Sequence, residues 1–252
     1  MSSSPIQAFG IIPTRYQSTR FPGKPLADIL GKPMFWHVYQ RALGCSDLDA
    51  VYLATEDQRI YDIAQTLDVP VVMTRTDHIS GTDRIFEAAR ILQIPQKAIV
   101  VNIQGDEPAL NPANITLALQ LFVNPAVEVT TLAYPLDPVE AENPNRVTVV
   151  ISKSGKGLYF SRAALPHRAG TASTIYGHIG LYAYRMTALK RFVSLDPGRL
   201  EQTEKLEMLR LLENDIDIYV ALAESAAIGV DHPDDLKKVI ALIRSEPVRS
   251  YN

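Results

Sequence analysis

The sequence predicts an α/β fold built on a mostly parallel sheet, with a smaller antiparallel lobe. Three observations predict it. Over the first half of the chain, short apolar runs alternate with segments of helical period, the pattern of parallel strands covered on both faces. After about Val127 strands follow one another directly, separated by turn residues, which points to an antiparallel lobe at about 127–185. Helical segments then return before a last strand and a last helix. The chain has 252 residues; at roughly 100–200 residues per domain, a single domain carrying that lobe is expected.

Each element follows from its residues. Ala8–Pro13 (AFGIIP) is a continuous apolar run and reads as a buried strand. Pro33–Leu43 reads as a helix, with Pro33 suited to its first turn. Ala50–Thr55 is a strand and Asp57–Leu67 a helix. Val69–Met73 is a strand that Pro70 shortens or places at an edge. Thr82–Leu92 is a helix, Lys97–Gln104 a strand and Pro112–Phe122 a helix. Val127–Pro135, Arg146–Ile151, Gly157–Arg162 and Tyr176–Arg185 are the lobe strands, with turn signals at Asn143-Pro144-Asn145 and Ser154-Gly155. Helices are expected at Thr187–Ser194 and Leu200–Leu212, a strand at Ile216–Ala223, and a helix from Pro233 to about Arg244.

Composition removes several function classes. Hydrophobic residues are 46% and charged residues 21%, a balance that lets a chain of this length bury a core without staples. Lys+Arg is 25 and Asp+Glu 28, for a net charge of −3, which argues against a nucleic-acid partner. The single cysteine, Cys45, excludes an internal disulfide framework or a thiolate zinc site and suits a reducing compartment. The start shows no signal-peptide pattern. No run approaches the roughly 18 apolar residues of a membrane helix. A cytoplasmic protein with no membrane insertion is expected.

Three segments carry chemistry. Pro13–Leu26 follows the first strand, and in open parallel sheets ligands sit beyond the C-terminal strand ends. Arg15, Arg20 and Lys24 stand there beside hydroxyls and Gly23. That set suits either a triphosphate or a solvated basic loop. It is neither a Walker loop nor a GxGxxG fingerprint. Asn102–Pro108 runs a strand into a turn carrying Asp106 and Glu107; such oxygen ligands suit Mg²⁺, or form a plain Gly-Asp turn. Gly229–Leu236 places Asp231 between a strand and a helix. Asp231 either caps the helix or joins Asp106 at one metal, while Asp234 and Asp235 complement the helix dipole.

RxxSTRxPGKPL at Arg15–Leu26 and QGDEP at Gln104–Pro108 resemble the CMP-sugar-acid synthetases. The closer resemblance is to the 3-deoxy-manno-octulosonate (Kdo) cytidylyltransferase family. MTRxDHxSGTDR at Met73–Arg84, LYFSRAxxP at Leu158–Pro166, HIGLYAYR at His178–Arg185 and GVDxPxDL at Gly229–Leu236 also fit it. Six motifs in order, over about residues 9 to 240, make the resemblance specific.

The resemblance implies a Rossmann-like, glycosyltransferase-A-like nucleotidyltransferase fold, a three-layer sandwich with an antiparallel dimerisation lobe. It implies a homodimer, a need for CTP and Mg²⁺, and transfer of CMP to a Kdo-type sugar acid for lipopolysaccharide synthesis. Asp106 and Asp231 would hold the metal. Lys24, Arg15 and, more weakly, Arg20 would face the triphosphate, with Gln104 also beside the nucleotide. Arg75 and Ser80 would read the base; Thr82 is expected only to cap the next helix and Arg84 only to pair on the surface. Arg162 would take the sugar carboxylate, and Gln104, His178, Tyr182 and Glu207 would face the sugar. His178, Gly180 and Tyr182 share one strand face by alternation. His78 and His167 are expected to be structural or exposed, Met34, Phe35 and Trp36 to be core, and Cys45 to be structural.

Two positions depart from the family pattern. Thr148 stands where a lysine is usual in NxVKVV, and Met208 where a glutamine is usual after Glu207. Loss of a cation there raises an alternative acceptor, an 8-amino analogue of Kdo, by reduced like-charge repulsion. A sialic-type acid is a further alternative, and a non-catalytic nucleotide-binding scaffold a distant one.

Overall fold

The computed structural model describes residues 6–17, 21–167, 174–226 and 228–245. Two compact units emerge: Met1–Ile115 with Ala227–Asn252, and Thr116–Ala226. The strands expected over 127–185 fall inside the second unit, which extends beyond them at both ends.

The first unit begins with β1 (Ala8–Thr14), the hairpin β2 (Asp28–Ile29) and β3 (Lys32–Pro33), and α1 (Met34–Leu43). β4 (Ala50–Thr55), α2 (Gln58–Thr66), β5 (Val71–Met73), α3 (Gly81–Ile91) and β6 (Ile99–Asn102) follow. β6, β1, β4 and β5 lie side by side in that order and are all parallel. Their apolar runs are the reason: Ile11, Ile12, Leu53, Val100 and Val101 are completely buried. β5 is the outer strand, and Pro70 beside it supplies a carbonyl to the Leu53 N–H, as a residue without an N–H must.

Register positions the site. Thr14 stands opposite Thr55, and Thr55 opposite Met73. The loops leaving β1, β4 and β5 therefore emerge at one level of one sheet edge. β6 pairs Asn102 with Ile11, which brings its exit turn to the same edge. That turn needs glycine: a Cβ on Gly105 would lie 2.7 Å from the Pro13 carbonyl oxygen.

The chain crosses into the second unit within α4 (Pro112–Gln120). There follow β7 (Val129–Leu136), β8 (Thr148–Ile151), β9 (Gly157–Ser161), β10 (Ile175–Arg185), α5 (Met186–Ser194), α6 (Arg199–Glu204), α7 (Leu209–Leu212) and β11 (Ile218–Leu222). β10 pairs antiparallel with β7 and β8, and β8 with β9, while β11 runs parallel to β7. The helix expected over Leu200–Leu212 is two helices. Lys205 takes the left-handed conformation (φ 56°) and ends α6; residues 200–212 contain neither glycine nor proline, so no helix breaker marks the end in the sequence. The chain then returns to the first unit with α8 (Pro233–Ser245).

Candidate active site

In the first unit three segments converge on one ammonium group. Gly23 adopts φ 71° and donates its N–H to the Tyr16 carbonyl at 3.1 Å, closing the loop after β1. A Cβ there would meet the Tyr16 ring at 3.2 Å. The turn delivers Lys24 at the start of a short 3₁₀ segment. Lys24 Nζ donates to Asp106 Oδ2 at 2.7 Å and to the Val230 carbonyl at 2.8 Å, and lies 3.9 Å from Asp231 Oδ1. The Val230 N–H donates back to the Asp106 carbonyl at 2.9 Å. Underneath, Ile29, Met34, Val230 and Val239 form a buried cluster with Phe21 and Leu236 packed on it. Burying one such side chain contributes about 1.5–3 kcal/mol, so this cluster holds the Asp231 segment against the hairpin that follows Lys24.

Asp235 organises the start of α8. Asp235 Oδ2 accepts the N–H groups of Asp231 and His232 at 3.1 and 3.0 Å, and these bonds hold the Asp235 carboxyl below its usual range. Asp234 pairs with Lys237 at 3.0 Å. Asp106 and Asp231, 36% and 53% exposed, are therefore both turned toward Lys24 with solvent access. Beside them Glu107 is buried, and its Oε2 accepts no hydrogen bond from the described residues. Burial, and then the Asp106 charge, push its carboxyl up to about 8. Among the described residues no three His, Cys, Asp or Glu side chains form a cage for a metal on their own. The donor set is two accessible carboxylates and an orphaned buried carboxyl oxygen. That fits a cation such as Mg²⁺, which takes one or two carboxylates and completes its shell with phosphate oxygens and water.

The other first-unit candidates divide. Arg15 and Arg75 are exposed. Arg75 Nε lies 3.4 Å from Asp77 and 3.7 Å from Glu87. Ser80 is the N-cap of α3 in a capping box with Asp83, so the cap expected at Thr82 belongs to Ser80 instead. The reason is backbone conformation: Ser80 is extended (φ −131°), as an N-cap must be. Arg84 is not a surface residue; its side chain is 6% exposed and its Nη1 stands 2.8 Å from Glu56 Oε2. His78 is half-buried, with its side chain 6% exposed, and pairs with Glu87. Gln104 sits half-buried in the turn after β6. Arg20 lies outside the described residues.

In the second unit, His178 and Tyr182 meet on one face of β10, as alternation requires. His178 Nε2 lies 2.9 Å from the Tyr182 hydroxyl and 2.9 Å from Thr131 Oγ1. Phe160 meets the imidazole edge-on. Burial drives the His178 imidazole down to about 3, so it is neutral. Burial, and then Tyr184 and Glu207, hold the Tyr182 phenol well above its ordinary value. These are groups that donate and accept hydrogen bonds without carrying charge. Glu207 lies in the turn between α6 and α7. Arg162 is tied down: Nε donates to the Glu204 carbonyl at 2.8 Å, Nη1 to Pro144 at 3.1 Å and Nη2 to Lys205 at 3.5 Å. Three of its five N–H donors are thus directed at backbone. Glu204 accepts from the Ser161 hydroxyl and the Arg162 N–H, anchoring the end of β9. His167 is exposed.

Sequence reasoning missed Glu204 and Thr131. A pair of threonines, Thr130-Thr131, inside an apolar strand was the available signal. The two departures have plain structural reasons. Thr148 is completely buried and donates its hydroxyl to the Ala163 carbonyl at 2.7 Å; Met208 is 7% exposed and belongs to the core. Thr148 is thus a buried structural hydroxyl, and this placement gives an amino-bearing acceptor no support.

Comparison with known proteins identifies the family. The model of the cytidylyltransferase family matches residues 9–218. A 3-deoxy-manno-octulosonate cytidylyltransferase of Nitratidesulfovibrio vulgaris is 54% identical over 247 residues, covering 96% of this chain and 98% of that protein. One of Oleidesulfovibrio alaskensis is 55% identical over 239 residues, covering 94% and 96%. A solved structure of CMP:2-keto-3-deoxy-manno-octonic acid synthetase complexed with CTP is 40% identical, with a TM-score of 0.91 over 96% of this chain and 100% of that one. With the family model matching most of the chain and these relatives covering nearly all of it, the chain belongs to the cytidylyltransferase family.

Proposed function

We propose that this protein transfers CMP from CTP to the anomeric hydroxyl of 3-deoxy-manno-octulosonate. The new bond forms between the sugar oxygen and the α-phosphorus. The bond from that phosphorus to the bridging oxygen of the β-phosphate breaks, pyrophosphate leaves, and the hydroxyl gives up its proton. Such transfer depends on positioning and charge stabilisation. The observation that carries the reading is the meeting of Lys24, Asp106 and Asp231 from three separate segments. The relatives' names supply the sugar.

Lys24 and Arg15 offset charge on the departing pyrophosphate, and Arg75 with the loop ending at Ser80 reads the base. Asp106 and Asp231 would hold Mg²⁺. When bound, the ion would neutralise phosphate oxygens and lower the pKa of the attacking hydroxyl. Neutral His178 and Tyr182 bind sugar hydroxyls, Gln104 and Glu207 complete the polar contacts, and Arg162 offers its remaining N–H groups to the sugar carboxylate. The product serves lipopolysaccharide assembly, the protein works in the cytoplasm, and it does so as a homodimer formed through the second-unit strands. Among the described residues no helix is long and apolar enough to cross a membrane.

Asp106→Ala and Asp231→Ala test the reading by pyrophosphate release. Each is expected to abolish turnover with the fold retained. A variant that keeps a near wild-type rate at saturating Mg²⁺ would remove that residue from the metal site.

A further inference from the structure

The loop that faces the triphosphate and the loop that reads the base are joined through one buried ion pair. The Tyr16 N–H, in the loop after β1, donates to Glu56 Oε1 at 3.3 Å. Glu56 Oε2 stands 2.8 Å from Arg84 Nη1. Arg84 Nη1 donates to Thr74 Oγ1 at 2.6 Å and to the Arg75 carbonyl at 3.3 Å, both in the loop after β5. The two Nη1 hydrogens are thus spent on that loop, and the contact with Glu56 is held by charge. Glu56 and Arg84 side chains are only 12% and 6% exposed, where charge interactions are little screened.

Both ends of the connection are braced. On the phosphate side the Arg59 guanidinium stacks 3.3 Å from the Tyr16 ring centroid, and the Gly23 N–H donates to the Tyr16 carbonyl at 3.1 Å. Arg59 is itself fixed by the α2 cap Asp57 at 2.7 Å. On the base side Glu87 accepts the Arg75 N–H at 2.9 Å and pairs with His78. Burial lowers the Arg84 guanidinium from its usual range, Glu56 opposes that, and the exposed Arg15 adds repulsion.

We propose that Glu56 and Arg84 are positioning residues that couple the triphosphate loop to the base-reading loop, so that filling one pre-orders the other. A polyphosphate that orders the loop after β1 fixes the Tyr16 N–H on Glu56, and Glu56 in turn holds Arg84 against Thr74 and the Arg75 carbonyl. Coupling of this kind is reciprocal: cytidine tightens polyphosphate by the same factor that polyphosphate tightens cytidine. This inference rests on the nucleotide reading above.

The test uses the two halves of the nucleotide as separate probes. Tripolyphosphate is titrated calorimetrically into the full-length protein with and without saturating cytidine. The wild type is expected to bind tripolyphosphate several-fold tighter with cytidine present. In Glu56→Gln that factor falls to about one, while the KM for the sugar acid stays within about twofold. Arg84→Lys, which keeps a charge but lacks the fork, is expected to lose the factor too, and covers the case in which Glu56→Gln fails to fold. Thermal midpoints of both variants are measured alongside, because a purely structural pair would lower them and leave the factor intact. An unchanged factor in a folded variant overturns the proposal. So does a wild type that turns over CTP without any such factor. A wild type that neither binds nor turns over CTP overturns the nucleotide reading itself, and the coupling with it.

Discussion

Replacing Lys24 with methionine separates the chemistry of the site from its architecture. The stem keeps its length and the ammonium is lost. In the structure that ammonium makes a charge-assisted bond to Asp106 at 2.7 Å and an ordinary one to the Val230 carbonyl at 2.8 Å. Buried, the first would contribute about 1.5–3 kcal/mol. Asp106 is 36% exposed and Asp231 53%, so solvent screening brings the loss to the surface-pair scale of about 1 kcal/mol. For a chain of this size that is a fall of roughly 2–4 °C in Tm. Turnover responds on another scale. Removing one preorganised donor from a site of developing negative charge costs about 10²–10³ in kcat. The expected outcome is a near-normal melting curve with pyrophosphate release down by that factor at saturating CTP, Mg²⁺ and sugar acid. A kcat within tenfold of wild type would refute the reasoning and leave Lys24 as a clamp between Asp106 and Val230.

Three further outcomes follow from the second unit. Thr131→Val removes a completely buried hydroxyl that donates to the Leu181 carbonyl at 2.9 Å and meets His178; stability should fall by about 1–3 kcal/mol, read in a urea melt, with Thr131→Ser recovering most of it. His178 titrates at 6.5 when unfolded and at about 3 when folded, so the unfolded chain binds the extra proton between those values. Its contribution to stability is complete above pH 6.5 and is lost as pH falls toward 3, and His178→Gln should flatten that part of the stability-pH curve. Lys205→Gly relieves a left-handed backbone at φ 56° and should raise stability by about 1 kcal/mol, seen as a small rise in Tm; no rise would show that Lys205 is unstrained.

The parallel half of the fold was legible because its strands are continuous apolar runs and its helices are amphipathic. Pro70 marked β5 as an outer strand, where it lies. The segments of Lys24, Asp106 and Asp231 stood out by their turn glycines and charges, but their roles came from the family resemblance, and their meeting at one ammonium group is visible only in the structure. What was not legible depends on conformations and contacts that leave no local pattern. The β2–β3 hairpin turns through Leu30 and Gly31 at φ 54° and 83°, and leucine is a poor advertisement for a left-handed turn residue. Lys205 breaks the helix where neither glycine nor proline marks an end. Arg84 read as a surface charge because its partner Glu56 is 28 residues earlier in the sequence. Thr148 read as a lost cation at the acceptor; its hydroxyl instead holds the Ala163 carbonyl, which only the pairing of β8 with β9 reveals.

The central claim is that this chain makes a CMP-sugar from CTP and 3-deoxy-manno-octulosonate. The measurement that tests it most directly is pyrophosphate release with Mg²⁺, offering that acid, its 8-amino analogue and a sialic acid in parallel, with UTP as the nucleotide control. Release is expected with CTP and 3-deoxy-manno-octulosonate, much less with the other two acids, and none with UTP. Equal or better release with the 8-amino analogue would contradict the acceptor, and no release with any acid would contradict the activity.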